Sequence, residues 1–468
     1  MHPSDHLSRR FTMAALACAV LVPSATAAAT EQRQDASRSF DRTLAISSGQ
    51  ALRIEHTHGD VRITTHALGE LRVQATIRVS ADAKAAADEL VERIQVEVSD
   101  TPTSVTVRTR YPERSWWSAR RNLSYSVDYT VLMPERMALD VRGSFGNVSV
   151  TGLKADAAVV NAHGMLSATD GAGRCRLENS FGSIEVARLT GDVTIAGANG
   201  NVTATTIGSG LNVTNRFGRI AVSGVRGAAL VASSNGEVEI TDAGSANVTN
   251  SFGVVTLRNI AADVSVENSN GAVNLANVRG GATVKNSFGA VDIATVAGTV
   301  TVTSANSGVH VADAEGPVFV KTSFGPVAAE RVRGSLTIHN ANGSVQATTV
   351  GGAADVKTSF GPVVLRGIDG KVDVRNQNGA IEAVALARPG ACHDVALATS
   401  FSSIEVRLPE AGYAVTARTS FGRIRSDLPI TSTGTIGEGS LTGTIGGGGC
   451  SLQLTNSNGD IRILKRER

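Results

Sequence analysis

A tripeptide recurs along this chain at a spacing that leaves few folds open. Ser-Phe-Gly stands at Ser144-Phe145-Gly146 and returns around Phe181, Phe217 (as Arg-Phe-Gly), Phe252, Phe288, Phe324 and Phe360. Midway between successive phenylalanines an Asn-centred version takes the same place, at Asn199, Asn235, Asn270, Asn306, Asn342 and Asn378, with His163-Gly164 in the first such slot. Phe-to-Phe spacing is 36 residues, once 35, so a turn signal arrives about every 18. Self-similarity at a short fixed period marks a solenoid.

The residues between the signals choose the kind of solenoid. Residues 289–303 read Gly-Ala-Val-Asp-Ile-Ala-Thr-Val-Ala-Gly-Thr-Val-Thr-Val-Thr. Period-two alternation in short β-branched runs describes half-buried strands, not helices. Each unit of 18 holds two such runs, so the chain turns back about every nine residues, too soon for a helical repeat. Asn-Gly and Phe-Gly suit the corners because glycine accepts positive φ and asparagine tolerates it. The expected fold is all-β: a single-stranded β-solenoid.

Coil length has two readings. A 36-residue coil would stack Phe on Phe every ~4.8 Å but enclose a wide interior. An 18-residue coil separates its two sheets by about 10 Å, a gap that Val, Ile, Leu and Ala fill. Aromatic residues make up only 4% of the chain, which favours the narrower coil, with two coils forming the 36-residue double repeat. About fourteen coils then lie between Gly143 and Ala380 and rise ~70 Å.

The ends differ. Residues 1–29 carry Arg9-Arg10, an apolar run from Phe11 to Val22 and then Ala25-Thr26-Ala27, the signature of a cleaved export signal. The run is too short to span a bilayer, and no later segment of the mature chain offers 18 consecutive apolar residues. The leucine before Cys18 sits one position late for a lipoprotein signal, which argues against lipidation. The protein is therefore expected outside the cytoplasm, in the periplasm, on the cell surface or secreted. Residues 30–142 read as a β-rich cap with one helix over Ala81–Ile94, hiding the open end of the stack. Residues 381–468 depart from the repeat gradually: Phe401 and Phe421 keep the corner at altered spacing, and Pro409 and Pro429 interrupt strands. These irregular coils read as a C-terminal cap. Cys392 and Cys450 both fall there, and in an oxidising compartment a disulfide between them would close that end. Cys175 reads as a small buried core residue.

Several stretches together resemble a known family. They are Thr57-His58-Gly59-Asp60-Val61-Arg62-Ile63, the alternating Ser-Phe-Gly and Asn-Gly corners, Gly-Thr-Ile followed by four glycines at 443–449, and the closing Asn458-Gly459-Asp460-Ile461-Arg462-Ile463. The combination looks like the bacterial putative-adhesin family of unknown function. That resemblance implies a β-solenoid of the cell envelope and supplies no catalytic residues.

Chemistry has to be sought residue by residue. The corner phenylalanines read as structural, packing on neighbouring coils, since an exposed row would invite aggregation; a binding stripe is the other reading. The Asn corners read as left-handed turn residues or a hydrogen-bonding ladder. No carboxylate recurs at one corner position, so a calcium-stapled roll is not expected, and the chain calls for no cofactor. His56, His58 and His66 form a loose histidine group without further ligands at metal spacing. The most unusual surface candidate is Arg114-Ser115-Trp116-Trp117-Ser118-Ala119-Arg120-Arg121, where both tryptophans of the chain sit among arginines. Arg114, Trp116, Trp117, Arg120 and Arg121 suit an anionic glycan or lipid headgroup, or alternatively plug the cap against the first coil. A net charge of +2 gives no pull toward nucleic acid. Scattered carboxylates and the absence of a nucleophile elbow point away from an enzyme. The expected function is that of an exported, non-catalytic, adhesin-like interaction protein, with a glycan, a lipid headgroup or a protein as the candidate ligands. A polysaccharide-active β-helix enzyme and a periplasmic partner in envelope-stress signalling are the alternatives.

Overall fold

Valine-rich runs of six or seven residues stack on one another throughout the computed structural model of the protein, which describes residues 33–113, 122–384, 391–432 and 437–466. Each coil contributes one strand to each of two parallel sheets. In the first sheet Val159 faces Leu177, Leu177 faces Ile195, and Ile195 faces Val213. In the second, Leu166 faces Ile184 and Ile184 faces Val202. Every step is 18 residues, so the coil is the short one. About fourteen turns run from residue 138 to residue 384. The single 35-residue spacing has a local cause: Val225 pairs with Ala243, but Ala228 pairs with Ser245, so one turn is shorter by a residue.

Period-two patterning fixes which side chains fill the stack. In Val291–Val296 the residues Val291, Ile293 and Val296 are buried, and Asp292 and Thr295 face out. The inward residues of both sheets meet in one layer of Val, Ile, Leu and Ala. Fully burying each such side chain contributes roughly 1.5–3 kcal/mol. That repeated term holds coils that a single hairpin could not sustain.

The N-terminal cap grows out of the same ladder. Strands β1 (Gln34–Ala45), β2 (Ala51–Glu55), β3 (Val61–His66) and β4 (Glu70–Ala81) precede helix α1 (Lys84–Arg93). Then come β5 (Gln95–Asp100), β6 (Ser104–Arg110), β7 (Ser124–Pro134), β8 (Ala138–Arg142) and β9 (Val148–Thr151). Strand β2 lies between β6 and β8, and β3 between β7 and β9, all parallel. The coil β2–β3 is thus a true rung, and the chain between them and β8 loops out to build the end cap. There β4 pairs antiparallel with β7, β1 with β4, and β5 with β6. Helix α1 buries Ala87, Leu90 and Val91, and packs against β1 and β4.

The far end closes by a similar detour. Cys450–Asn458 inserts in parallel between Val395–Phe401 and Tyr413–Phe421, so the last coil in sequence is not the last in space. Ser440–Ile445 then runs antiparallel along Tyr413–Phe421 and covers the exposed edge. Cys392 and Cys450 are disulfide-bonded with their Cα atoms 5.9 Å apart, tying the inserted coil to its neighbour. Cys175 is a free, buried thiol whose pKa burial pushes up to about 12. No helix among the described residues is long and apolar enough to cross a membrane.

Candidate interaction surfaces

The two long edges of the rod carry different chemistry. Along the first edge the corner residues form one column, each aligned with its equivalent a coil away. Phe252 faces Asn270, Asn270 faces Phe288, Phe288 faces Asn306 and Asn306 faces Phe324. Near the cap, imidazoles take the intervening places. His58 stacks on Phe145 at 5.2 Å between ring centroids, Phe145 on His163 at 4.6 Å, and His163 on Phe181 at 4.8 Å, with interplanar angles of 17°, 1° and 5°. The phenylalanine faces are therefore covered by neighbours along the axis, while their edges stay in solvent. Exposure of the nine corner phenylalanines runs from 47% at Phe145 to 77% at Phe421. They stack on adjacent coils, yet they also make an open apolar ridge.

Backbone geometry corrects one expectation. The corner asparagines do not adopt the left-handed conformation; positive φ falls on the glycine that follows at Gly271 and Gly343, as it does after the phenylalanines at Gly182, Gly253 and Gly289. The corner asparagines instead donate side-chain hydrogen bonds to the preceding coil, Asn199 Nδ2 to the Ser180 carbonyl at 3.3 Å and Asn342 Nδ2 to the Ser323 carbonyl at 3.3 Å.

A second asparagine column lies inside, two residues before the corner, and the sequence reading missed it. Asn161, Asn179, Asn215, Asn250, Asn268, Asn286, Asn340 and Asn376 are buried, with Ser or Thr in most of the remaining coils. Asn179 Nδ2 donates to the Gly164 carbonyl of the previous coil at 2.7 Å and to the Gly182 carbonyl of its own at 3.1 Å. The corner carbonyls satisfy the amide nitrogen, whereas the buried Oδ1 of each of these asparagines has no hydrogen-bond partner among the described residues. The available signal was a polar residue at an inward position, recurring every 18.

The opposite edge holds a column of non-glycine residues in the left-handed region. Asp170, Arg188, Thr206, Asp242, Asn259, Asn277, Thr295, Asp313, Arg331 and Thr349 all have φ between 54° and 59°. No single residue type fills the column, so no sequence motif announces it. Their side chains link coil to coil: Asn277 Nδ2 donates to Asn259 Oδ1 at 2.9 Å, and Asn259 Nδ2 to Asp242 Oδ1 at 2.9 Å. Arg188 pairs with Asp170 at 2.6 Å and Arg331 with Asp313 at 2.6 Å. The arginine hydrogen bonds hold both carboxyls below their usual range. Beside this column runs a groove of about 1250 Å³ along the axis, from Gly224 to Gly351. Its small residues Gly244, Ala261 and Ala297 leave the floor open, and Arg226, Arg279 and Arg333 stand at intervals of three coils. Arg333 pairs with Glu315 at 3.1 Å. Arg226 and Arg279 have no side-chain hydrogen bond or ion pair among the described residues.

The histidine group is not a metal centre in its geometry. His56 is buried in a hydrogen-bonded chain with Thr109 and Gly59, His58 belongs to the ring stack, and His66 Nδ1 accepts from the Leu68 N–H at 3.0 Å. Among the described residues no three His, Cys, Asp or Glu side chains are grouped to hold an ion. Arg114, Trp116, Trp117, Arg120 and Arg121 lie outside the described residues. The preceding Tyr111 packs against His58 and Tyr125 at 5.8 and 5.2 Å between ring centroids.

Stacked 18-residue coils, capped at both ends and carrying long repetitive edges, define a β-solenoid repeat protein. Residues 282–464, less than half of the chain, are similar to the family Toastrack DUF4097. No curated protein matches the chain. Among solved structures, a "putative cell adhesion protein" from Clostridium sporogenes aligns over 92% of this chain and 100% of its own, at 6% identity and a TM-score of 0.17. A "putative adhesin" from Bacteroides fragilis aligns over 57% of this chain and 97% of its own, at 17% identity and a TM-score of 0.22. Neither score carries an argument about function.

Proposed function

We propose that the protein is an exported, non-catalytic interaction protein of the cell envelope, adhesin-like in presenting repetitive faces, and that its axial groove holds an acidic linear polymer. One observation carries this reading. The groove repeats its lining at the coil pitch, ~4.8 Å, and bears Arg226 and Arg279, which have no side-chain partner among the described residues. Contacts at that pitch suit an extended chain such as an acidic polysaccharide, because many weak contacts on one rigid rod add through effective concentration. The acidic side chains along this edge favour binding over turnover. Asp170 and Asp313 are held ionised by Arg188 and Arg331, the opposite of the raised carboxyl pKa that a general acid needs.

The test is a binding screen of envelope polysaccharide fractions against the wild-type chain and an R226A/R279A variant. The expected result is a loss of affinity of tenfold or more with an unchanged melting temperature, and a steep salt dependence for wild type. Equal binding by the variant would remove the groove from the account. Parallel alanine replacement of Arg114, Trp116 and Trp117 assigns any remaining binding to that segment. Release of reducing sugar or unsaturated uronate during the screen would replace this reading with an enzymatic one.

A further inference from the structure

The first edge has a property that the groove does not share: over nine coils its crest carries no charged residue. From Phe252 to Phe401 the corner column holds only Phe and Asn, and the position before each corner holds only Ser, Ala or Gln. The second position after each corner is equally bare, with Val254, Ala290 and Pro326 among its residues. The opposite edge over the same coils carries Arg279, Asp313, Glu315, Arg331 and Arg333. Charge depletion with aromatic enrichment is the compositional mark of an interface core, and a contiguous exposed apolar patch of several hundred Å² marks an interaction site.

We propose that this ridge is a homotypic interface, on which a second copy of the chain docks antiparallel and interleaves its phenylalanines with the first. Periodicity is the first argument. The phenylalanines project every second coil, about 9.6 Å apart, and the asparagines between them are shorter. An antiparallel copy displaced by one coil therefore brings each Phe opposite an Asn, knob into gap, along the whole ridge. Only a surface of the same pitch stays in step over such a length; a globular partner would meet a few rings and then diverge. A two-fold axis perpendicular to the rod makes the contact isologous and closed, so it stops at a dimer.

Area and electrostatics agree with this occupant. An aromatic side chain presents 150–250 Å², so the five half-exposed rings from Phe252 to Phe401 offer about 500 Å², and the asparagines and small residues between them extend the contact toward the about 800 Å² per partner of a standard stable interface. The two crests carry no charge to repel each other, and the row Lys321, Lys357 and Arg375 that flanks them lies at the rim of the contact, where water and salt screen it. The covered ring faces also matter. Sugar rings bind aromatic faces, and here those faces are occupied by neighbouring His or Phe rings near the cap and by Asn in the coils beyond.

Sedimentation equilibrium on the purified chain, from about 1 to 100 µM, tests the proposal. Wild type is expected to show a monomer–dimer equilibrium in this range. F288S/F324S/F360S is expected to weaken it at least tenfold while keeping its circular-dichroism spectrum and melting temperature. S323E, which places a charge in the ridge without touching the core, is expected to do the same and decides the matter if the triple variant misfolds. A wild-type chain that stays monomeric throughout overturns the proposal, as does a dimer that both variants retain. R226A/R279A is expected to dimerise normally, so failure of the groove reading and failure of this one are separable.

Discussion

His56 shows how a single side chain reports on its surroundings. Its Nε2 lies 3.1 Å from the Gly59 carbonyl and so carries the proton, while Nδ1, 3.3 Å from Thr109 Oγ1, accepts. Thr109 in turn lies 2.6 Å from the Tyr129 hydroxyl, which extends the buried chain. Burial pushes the His56 pKa down to about 4. Because that lies below the unfolded value of about 6.5, the folded state binds fewer protons between the two. Stability is then complete above pH 6.5 and falls as pH drops toward 4, by on the order of 3 kcal/mol. Melting curves across that window should show the decline in wild type and a much flatter profile in His56→Gln. The buried asparagines make a second claim at this scale. Asn286 Nδ2 donates to the Gly271 carbonyl at 3.2 Å and the Gly289 carbonyl at 2.6 Å. Asn286→Ala is expected to cost about 1–3 kcal/mol by denaturant unfolding, since it leaves buried carbonyls unbonded. Asn286→Thr should be milder, because Thr322 and Thr358 occupy the equivalent place and bond the corner carbonyl.

For the elements, the alternation of Val and Thr made the strands legible, and the tight spacing of corners made the coil length legible through the volume of the interior. Gly271 illustrates why the corner is so constant. Its φ is +139°, and a Cβ there would lie 2.0 Å from the Gly253 carbonyl oxygen of the coil below. Gly271→Ala should destabilise the stack by about 2 kcal/mol or more, read as a lowered denaturation midpoint. What stayed hidden has a physical reason in each case. The left-handed column from Asp170 to Thr349 is set by the backbone path at the opposite corner and is filled by Asp, Arg, Thr and Asn alike. The helix begins at Lys84, not Ala81, because Glu70–Ala81 continues as a strand paired to its end with β1. The half-exposed state of the phenylalanines follows from a corner too tight to turn a large ring inward, which their residue type alone suggests wrongly.

At the scale of the whole molecule, both ends close by placing a coil out of sequence order, and no local pattern announces it. Residues 51–66 and 450–465 read as ordinary strand pairs; only pairing at long separation, such as Leu52 with Leu139 and Leu397 with Leu454, reveals their place. The rod has two functional edges in this account, a charged groove for a polymer and a neutral ridge for a second copy. Both depend on one rung per 18 residues. That pitch is tested most directly by electron–electron spin distances between labels at Asn199→Cys and Asn378→Cys, with labelled chain diluted in unlabelled chain. Ten coils separate the two positions, so the account predicts about 48 Å. A distance near 24 Å, the value for a rung of twice the length, would contradict it.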